Sequence, residues 1–224
     1  MIVASDRDYL ETRLIKRGIR SINPDFASLA QWINDYYRVK VLNIFYDKIQ
    51  VAYAWQPRVN IIFEHQEEEL QFRHGVLGNF DSDKQKIISQ KFRELAVNSG
   101  RASTKYDGRN LLVIFSSFIR VAKDDANSAI PDAEIELFKK EFSSLNIWEV
   151  SRFGASTTIF VHTDTQAKEA ASDTLVQELT QRYFILLKKY DEFDYFGWES
   201  FSLEIDSKEN FDRNYESNWY YYYK

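Results

Sequence analysis

The chain has 224 residues and a mass of 26.6 kDa, room for one large domain or two small ones. Hydrophobic residues make up 44% and charged residues 28%, which excludes the composition of a disordered chain. With no cysteine, disulfides and thiolate metal sites are excluded as well, and a net charge of −5 argues against an extended nucleic-acid footprint, with three histidines leaving little room for familiar catalytic machinery.

A first helix is predicted from Asp8 to Arg17, with Asp6 as its N-cap, Leu10, Leu14 and Arg17 on one face, and Gly18 just past its end. Pro24-Asp25 opens a second helix with Phe26, Leu29, Ile33 and Tyr36 at helical spacing. Two strands follow, Val39 to Tyr46 and Arg58 to His65, with Pro57 expected to block pairing just before the second. A third helix starts at Ser82, turns Ile88, Phe92 and Leu95 to the core and ends at Gly100. Leu111 to Val121 is rich in β-branched and aromatic residues and reads as a strand.

The same order then returns. Pro131 stands at a helix start, where its missing N–H costs nothing, and Ile135, Phe138 and Phe142 form the apolar stripe. Asn146 to Phe153 and Thr157 to His162 read as a hairpin turning at Gly154. A long helix from Ser172 to Tyr190 carries Leu175, Leu179, Tyr183 and Leu186-Leu187. Phe201 to Ile205 is the last core strand, extended by an aromatic tail.

Each half therefore reads helix, strand, strand, helix, strand. Short matches in the same order support a duplication. Leu42-Asn43-Ile44-Phe45 resembles Leu145-Asn146-Ile147-Trp148, Ile62-Phe63-Glu64-His65 resembles Ile159-Phe160-Val161-His162, and Ser82-Asp83 resembles Ser172-Asp173. Repeats of this size usually complete each other's core. The expected fold is α+β, two αββαβ units with mostly antiparallel strands and helices packed on one side. The units span residues 1–127 and 128–224 and form one pseudo-symmetric body. Counting the strand from Leu111 with the second half gives a ferredoxin-like order, βαββαβ.

Met1-Ile2-Val3-Ala4 followed by Asp6, Arg7 and Asp8 is too short an apolar stretch for a signal peptide. No run approaches the roughly 20 apolar residues of a membrane span. A cytoplasmic bacterial protein is the expectation, without membrane or nucleic-acid partners.

Several constellations bear on chemistry. His65 precedes Glu67, Glu68 and Glu69, and His162 precedes Asp164. If both imidazoles met with carboxylates they could hold a divalent metal. Against this, each histidine simply ends a strand, and no spacing fixes two ligands on one helix. Three consecutive glutamates point in different directions, which suits a solvated segment better than acid–base work. Gly75-Val76-Leu77-Gly78 lacks the pattern of a phosphate loop, and no Gly-x-Ser-x-Gly occurs. Arg13, Lys16, Arg17 and Arg20 follow Asp6, Asp8 and Glu11, a charge order that complements the helix dipole. No cofactor is expected.

The least ordinary feature is the tail. Residues 193–224 hold 12 of the 36 aromatic residues and end in Trp219-Tyr220-Tyr221-Tyr222-Tyr223-Lys224. Read as a strand, the tail should bury alternate rings and leave the others partly exposed. Set beside Glu209, Asp212 and Glu216, the exposed rings would form an acidic-aromatic face for a basic protein partner. In general character the chain is similar to the small acidic α+β immunity proteins that neutralise toxins, although no family motif carries that likeness. The leading expectation is a non-enzymatic protein-interaction protein. The alternative is an enzyme with a scattered His/carboxylate site around His65 and His162, with or without a bound metal.

Overall fold

The structure, a computed structural model, describes residues 6–51, 53–75, 78–98, 106–171 and 173–224. The chain divides into two compact units, the first ending at Val121 and the second running from Ala122 to Lys224. The expected helix end at Gly100, the expected helix start at Ser172, and Val76-Leu77 lie outside the described residues.

The first unit opens with α1 (Arg7–Lys16) and α2 (Pro24–Tyr37). Asp6 holds the N-cap position of α1 without a side-chain capping bond, and Gly18 follows the helix at φ +71°, a conformation glycine adopts without strain. Asn23 caps α2 by accepting the Asp25 N–H, and Pro24 sits in its first turn. The hairpin strands β1 (Val41–Val51) and β2 (Ala54–Phe63) come next. They are followed by α3 (Gln66–Leu70), α4 (Ser82–Asn98) and β3 (Leu112–Ser117). The expected strand from Leu111 ends at Ser117, where the chain turns into α5 (Phe118–Ser128). The boundary between the units falls inside this helix, ahead of the expected division at 127.

The sheet order is β1-β2-β3, with β1 antiparallel to β2 and β2 parallel to β3. One sheet face is apolar: Val59, Ile61, Phe63, Val113 and Phe115 pack with Phe26, Leu29 and Ile33 of α2 and with Ile88 and Phe92 of α4. Tyr36, expected in this stripe, is instead 61% exposed and stacks on Trp32. The alternation of a strand turns Asn43, Asn60 and Ser116 to the other face. That face is buried and mixed, since it also holds Phe45 and Ile62, and α1 covers its polar groups. Asn60 donates to the Asp8 carboxylate at 2.8 Å and accepts from Ser116 Oγ at 3.0 Å, while Asn43 donates to Thr12 Oγ1 at 3.0 Å. Burial pushes the Asp8 carboxyl above its ordinary value, against the hydrogen bonds from Asn60 and the Tyr9 N–H. Helices therefore lie on both faces of the sheet, not on one.

Pro57 does not stop the ladder. It lies opposite Lys48, at a point where β3 has not yet joined β2, so its missing donor leaves no neighbour unpaired on that side. Beyond Arg58 the hairpin continues as a two-stranded arm, with Val51, Tyr53 and Trp55 exposed near its tip.

The second unit comprises α6 (Asp132–Glu141), a 3₁₀ turn at Ser143–Leu145, β4 (Glu149–Phe153) and β5 (Ser156–Val161). Then come α7 (Asp164–Ala170), α8 (Asp173–Lys188) and β6 (Glu204–Ser207), which begins later than the expected Phe201. Two further helices close it, α9 (Lys208–Tyr215) and α10 (Trp219–Tyr222). The sheet order β4-β5-β6 repeats that of the first unit, antiparallel and then parallel. Because β3 pairs with β2, it is not shared with the second half, and the ferredoxin-like grouping does not form. The fold is α+β and internally duplicated, with a short helix added after each hairpin.

The register of the duplication is explicit. Phe63 lies opposite Ser117 and Val161 opposite Ser207. Just beyond, the Ile119 N–H donates to Glu64 O at 3.0 Å and the Glu209 N–H donates to His162 O at 3.2 Å. His65 therefore matches Thr163, one position away from the match with His162 expected from sequence. Both His65 and Thr163 are N-caps, and their N–H groups are accepted by Glu68 and Gln166 three residues on. Leu42–Phe45 lies inside β1, whereas residues 145–148 precede β4, so that pair of segments is not equivalent.

Candidate functional site: an aromatic groove beside β4

β4 is an outer strand of its sheet. Val150 turns into the core with Ile159, so Glu149, Ser151 and Phe153 face the opposite side together with Phe160. In the second unit this side is covered by the aromatic tail, as α1 covers the matching side in the first.

The tail is not a strand. Ser207 Oγ accepts the Asn210 N–H at 2.8 Å and starts α9. Glu216 and Ser217 then take left-handed conformations, φ +56° and +54°, which reverse the chain. Asn218 Oδ1 accepts the Tyr220 N–H at 2.9 Å and starts α10. Ring contacts accordingly follow helical spacing and not alternation, although Trp219 stays 38% exposed. Trp219, Tyr222 and Tyr223, at i, i+3 and i+4, turn to the sheet. Trp219 packs edge-on against Phe160 with centroids 5.4 Å apart, and Tyr223 stacks on Phe153 at 4.3 Å. Tyr223 Oη lies 2.5 Å from Ser151 Oγ, and Tyr222 donates to Asp206 at 2.7 Å. Burial, reinforced by the Asp206 carboxylate, holds the Tyr222 phenol well above its ordinary value. Tyr220 and Tyr221 point outward, 67% and 46% exposed.

Between β4 and α10 runs an open groove of about 610 Å³, within the size range of ligand sites. Its walls are Phe153, Trp219, Tyr220 and Tyr223, with Glu149 and Lys224 as its charged side chains beside Arg152. Arg152 is committed elsewhere: its guanidinium donates to Ile130 O at 2.6 Å, Asn127 O at 3.2 Å and Asp132 at 3.1 Å. Glu149 accepts the Val150 N–H at 2.9 Å and forms no ion pair among the described residues. Lys224 Nζ lies 5.7 Å from the centroid of the Tyr220 ring. A depression of about 530 Å³ in the first unit, between α4 and β3, is walled instead by polar groups such as Gln56, Ser82, Gln85 and Lys86.

Of the residues singled out in the sequence, Trp219, Tyr220 and Tyr223 line this groove, while Tyr221 and Tyr222 do not. Glu209 accepts the Asp164 N–H at 3.1 Å and faces Arg213 at 3.7 Å, and Asp212 is bonded to Lys208 and Ser217. Glu209 therefore ties α9 to the start of α7, while Asp212 serves the local structure of α9 and is held below its ordinary value mainly by Lys208. Glu216 is the exposed C-cap of α9. Glu149 was missed, although its alternation with Val150 marks it as facing away from the core.

His65 caps α3 in the first unit, 3.8 Å from the Glu64 carboxylate, and His162 is an exposed residue of the second. Among the described residues no three His, Asp or Glu side chains gather as a metal site would require, and no helix is long and apolar enough to cross a membrane. No family model, curated protein or solved structure matches this chain. The groove's own chemistry therefore carries the functional reading.

Proposed function

We propose that the protein is a non-enzymatic, cytoplasmic binding protein that engages a basic protein partner through the face formed by β4 and α10. Toxin neutralisation of the immunity type is an activity this reading suits. The observation that carries it is the groove of about 610 Å³, walled by aromatic side chains and holding a carboxylate, Glu149, that pairs with no cation among the described residues. Tyrosine and tryptophan dominate binding hot spots because they bury large areas while keeping a polar handle. The net charge of −5 favours encounter with a basic partner over an acidic one.

The test is calorimetric titration with the purified products of the flanking genes and with a panel of basic and acidic proteins. One basic protein is expected to bind, more weakly at high salt. Tyr220→Ala is expected to weaken that binding at least about tenfold, the usual loss at a hot spot, without lowering Tm. No saturable binding by any flanking product or basic protein, or binding indifferent to Tyr220, overturns the proposal.

A further inference from the structure

We infer that the groove beside β4 receives the cationic head of one arginine or lysine side chain from the partner, and that Lys224 is its internal competitor. This inference rests on the binding reading above and names the chemistry of the bound group.

A buried or half-buried cation needs two things to leave water: a carboxylate that is not already neutralised, and electron-rich ring faces. The groove supplies both. Glu149 spends one oxygen on the Val150 N–H and pairs with no cation among the described residues. Arg152, the cation nearest in sequence, points away to Ile130, Asn127 and Asp132, so it does not cancel the charge of Glu149. The ring requirement is met by an interaction already present. The ammonium of Lys224 lies 5.7 Å from the Tyr220 centroid, within the roughly 6 Å at which a cation is drawn to an aromatic face.

The chain's own lysine thus marks the kind of group the groove attracts. It leaves the space itself open, since Lys224 is part of the wall of the groove of about 610 Å³ and does not occupy it. Trp219 and the stacked pair Phe153–Tyr223 add an apolar wall, suited to the methylene stem of an arginine or lysine whose head reaches Glu149. An anionic group would meet Glu149, and of the groove's two cations Arg152 is already bonded to Ile130, Asn127 and Asp132.

The experiment uses the full chain and two acetylated, amidated pentapeptides, Gly-Ser-Arg-Ser-Gly and the same sequence with neutral citrulline for arginine. Binding is followed by backbone amide and Trp219 indole shifts in NMR. The arginine peptide is expected to shift Glu149, Tyr220 and Lys224 and to bind about three- to tenfold more tightly than the citrulline peptide. Lys224→Gln should tighten the arginine peptide and leave the citrulline peptide unchanged. Glu149→Gln keeps an acceptor for the Val150 N–H and should erase the preference. Tyr220→Phe, which keeps the ring, should retain it, whereas Tyr220→Ala should lose it.

Equal binding of both peptides would overturn the cation inference while leaving the binding reading intact. Absence of shifts with either peptide at millimolar concentration, or weaker arginine binding in Lys224→Gln, would also overturn it. Failure of the binding reading would show separately, as the absence of any protein partner.

Discussion

Ser117 and Ser207 occupy the same position in the two repeats, each the last residue of a third strand and each fully buried, yet only Ser207 caps a helix. Ser207 Oγ accepts the Asn210 N–H and donates to Asp164, whereas Ser117 Oγ has no hydrogen-bond partner among the described residues. The duplication kept the residue type and the backbone register while the hydroxyl kept its partners in one copy only. Ser207→Ala should therefore cost about 0.5–2 kcal/mol, the range for losing a helix cap. Ser117→Ala should be neutral or slightly stabilising, because no bond is lost with the hydroxyl. Denaturant midpoints of the two variants provide the comparison, and equal losses would contradict it.

Two carboxylates should shape the pH dependence in opposite directions. The hydrogen bond from Ser207, with Arg213 beside it, holds Asp164 below its ordinary 3.8. Its contribution is present above that value and is lost as pH falls through the lower folded one. Burial raises Asp8 above 3.8, so its contribution is present below that value and is lost as pH rises through the folded one. As pH rises towards 3.8, the stability advantage of the natural chain over Asp164→Asn should grow, and above that value it should level off. Relative to Asp8→Asn, the natural chain should weaken as pH rises above 3.8. Parallel curves for natural chain and variants would refute these assignments.

Tyr37 and Tyr183 are both pushed up to about 12 by burial, but their hydroxyls differ. Tyr183 donates to Asn127 Oδ1 at 2.8 Å, inside a cluster with Thr157. Tyr37 Oη is buried without a hydrogen-bond partner among the described residues, and its ring packs edge-on against Phe72. Tyr183→Phe should cost about 0.5–1.5 kcal/mol, whereas Tyr37→Phe should be neutral or stabilising. Thermal unfolding decides the matter, and a clear loss in Tyr37→Phe would reveal a bound water.

The tail residues should separate into two groups. Tyr222→Phe removes the bond to Asp206 and should destabilise by about 1–3 kcal/mol, since the acceptor is a carboxylate. Tyr220→Ala and Tyr221→Ala, both exposed, should change stability by less than about 0.5 kcal/mol. Urea titrations of the three variants would test this, and unfolding caused by Tyr221→Ala would make the outward rings structural.

Much of the architecture was legible because its signals are local. Asn23-Pro24, the Phe26-Leu29-Ile33 stripe and the turn at Gly154 mark element type and order within a few residues of chain. The repeat was visible from that order. Its register was not, because Ile-Phe occurs in both central strands one position apart. Only the pairing of Val161 with Ser207 and of Phe63 with Ser117 sets it.

The tail shows where local reading ends. Five consecutive aromatic residues favour an extended chain by composition, and a four-residue helix has no stability of its own. The sequence by itself determined that these rings exist, that an acidic chain carries them, and that two similar αββαβ units precede them. Tertiary structure decided the rest. Ser151 meets Tyr223 across a separation of 72 residues, and Phe160 and Asp206 hold Trp219 and Tyr222. Contacts at that range, not propensity, make the tail helical and bring Glu149 to the groove, because a helix this short forms only where a surface is ready to bury it.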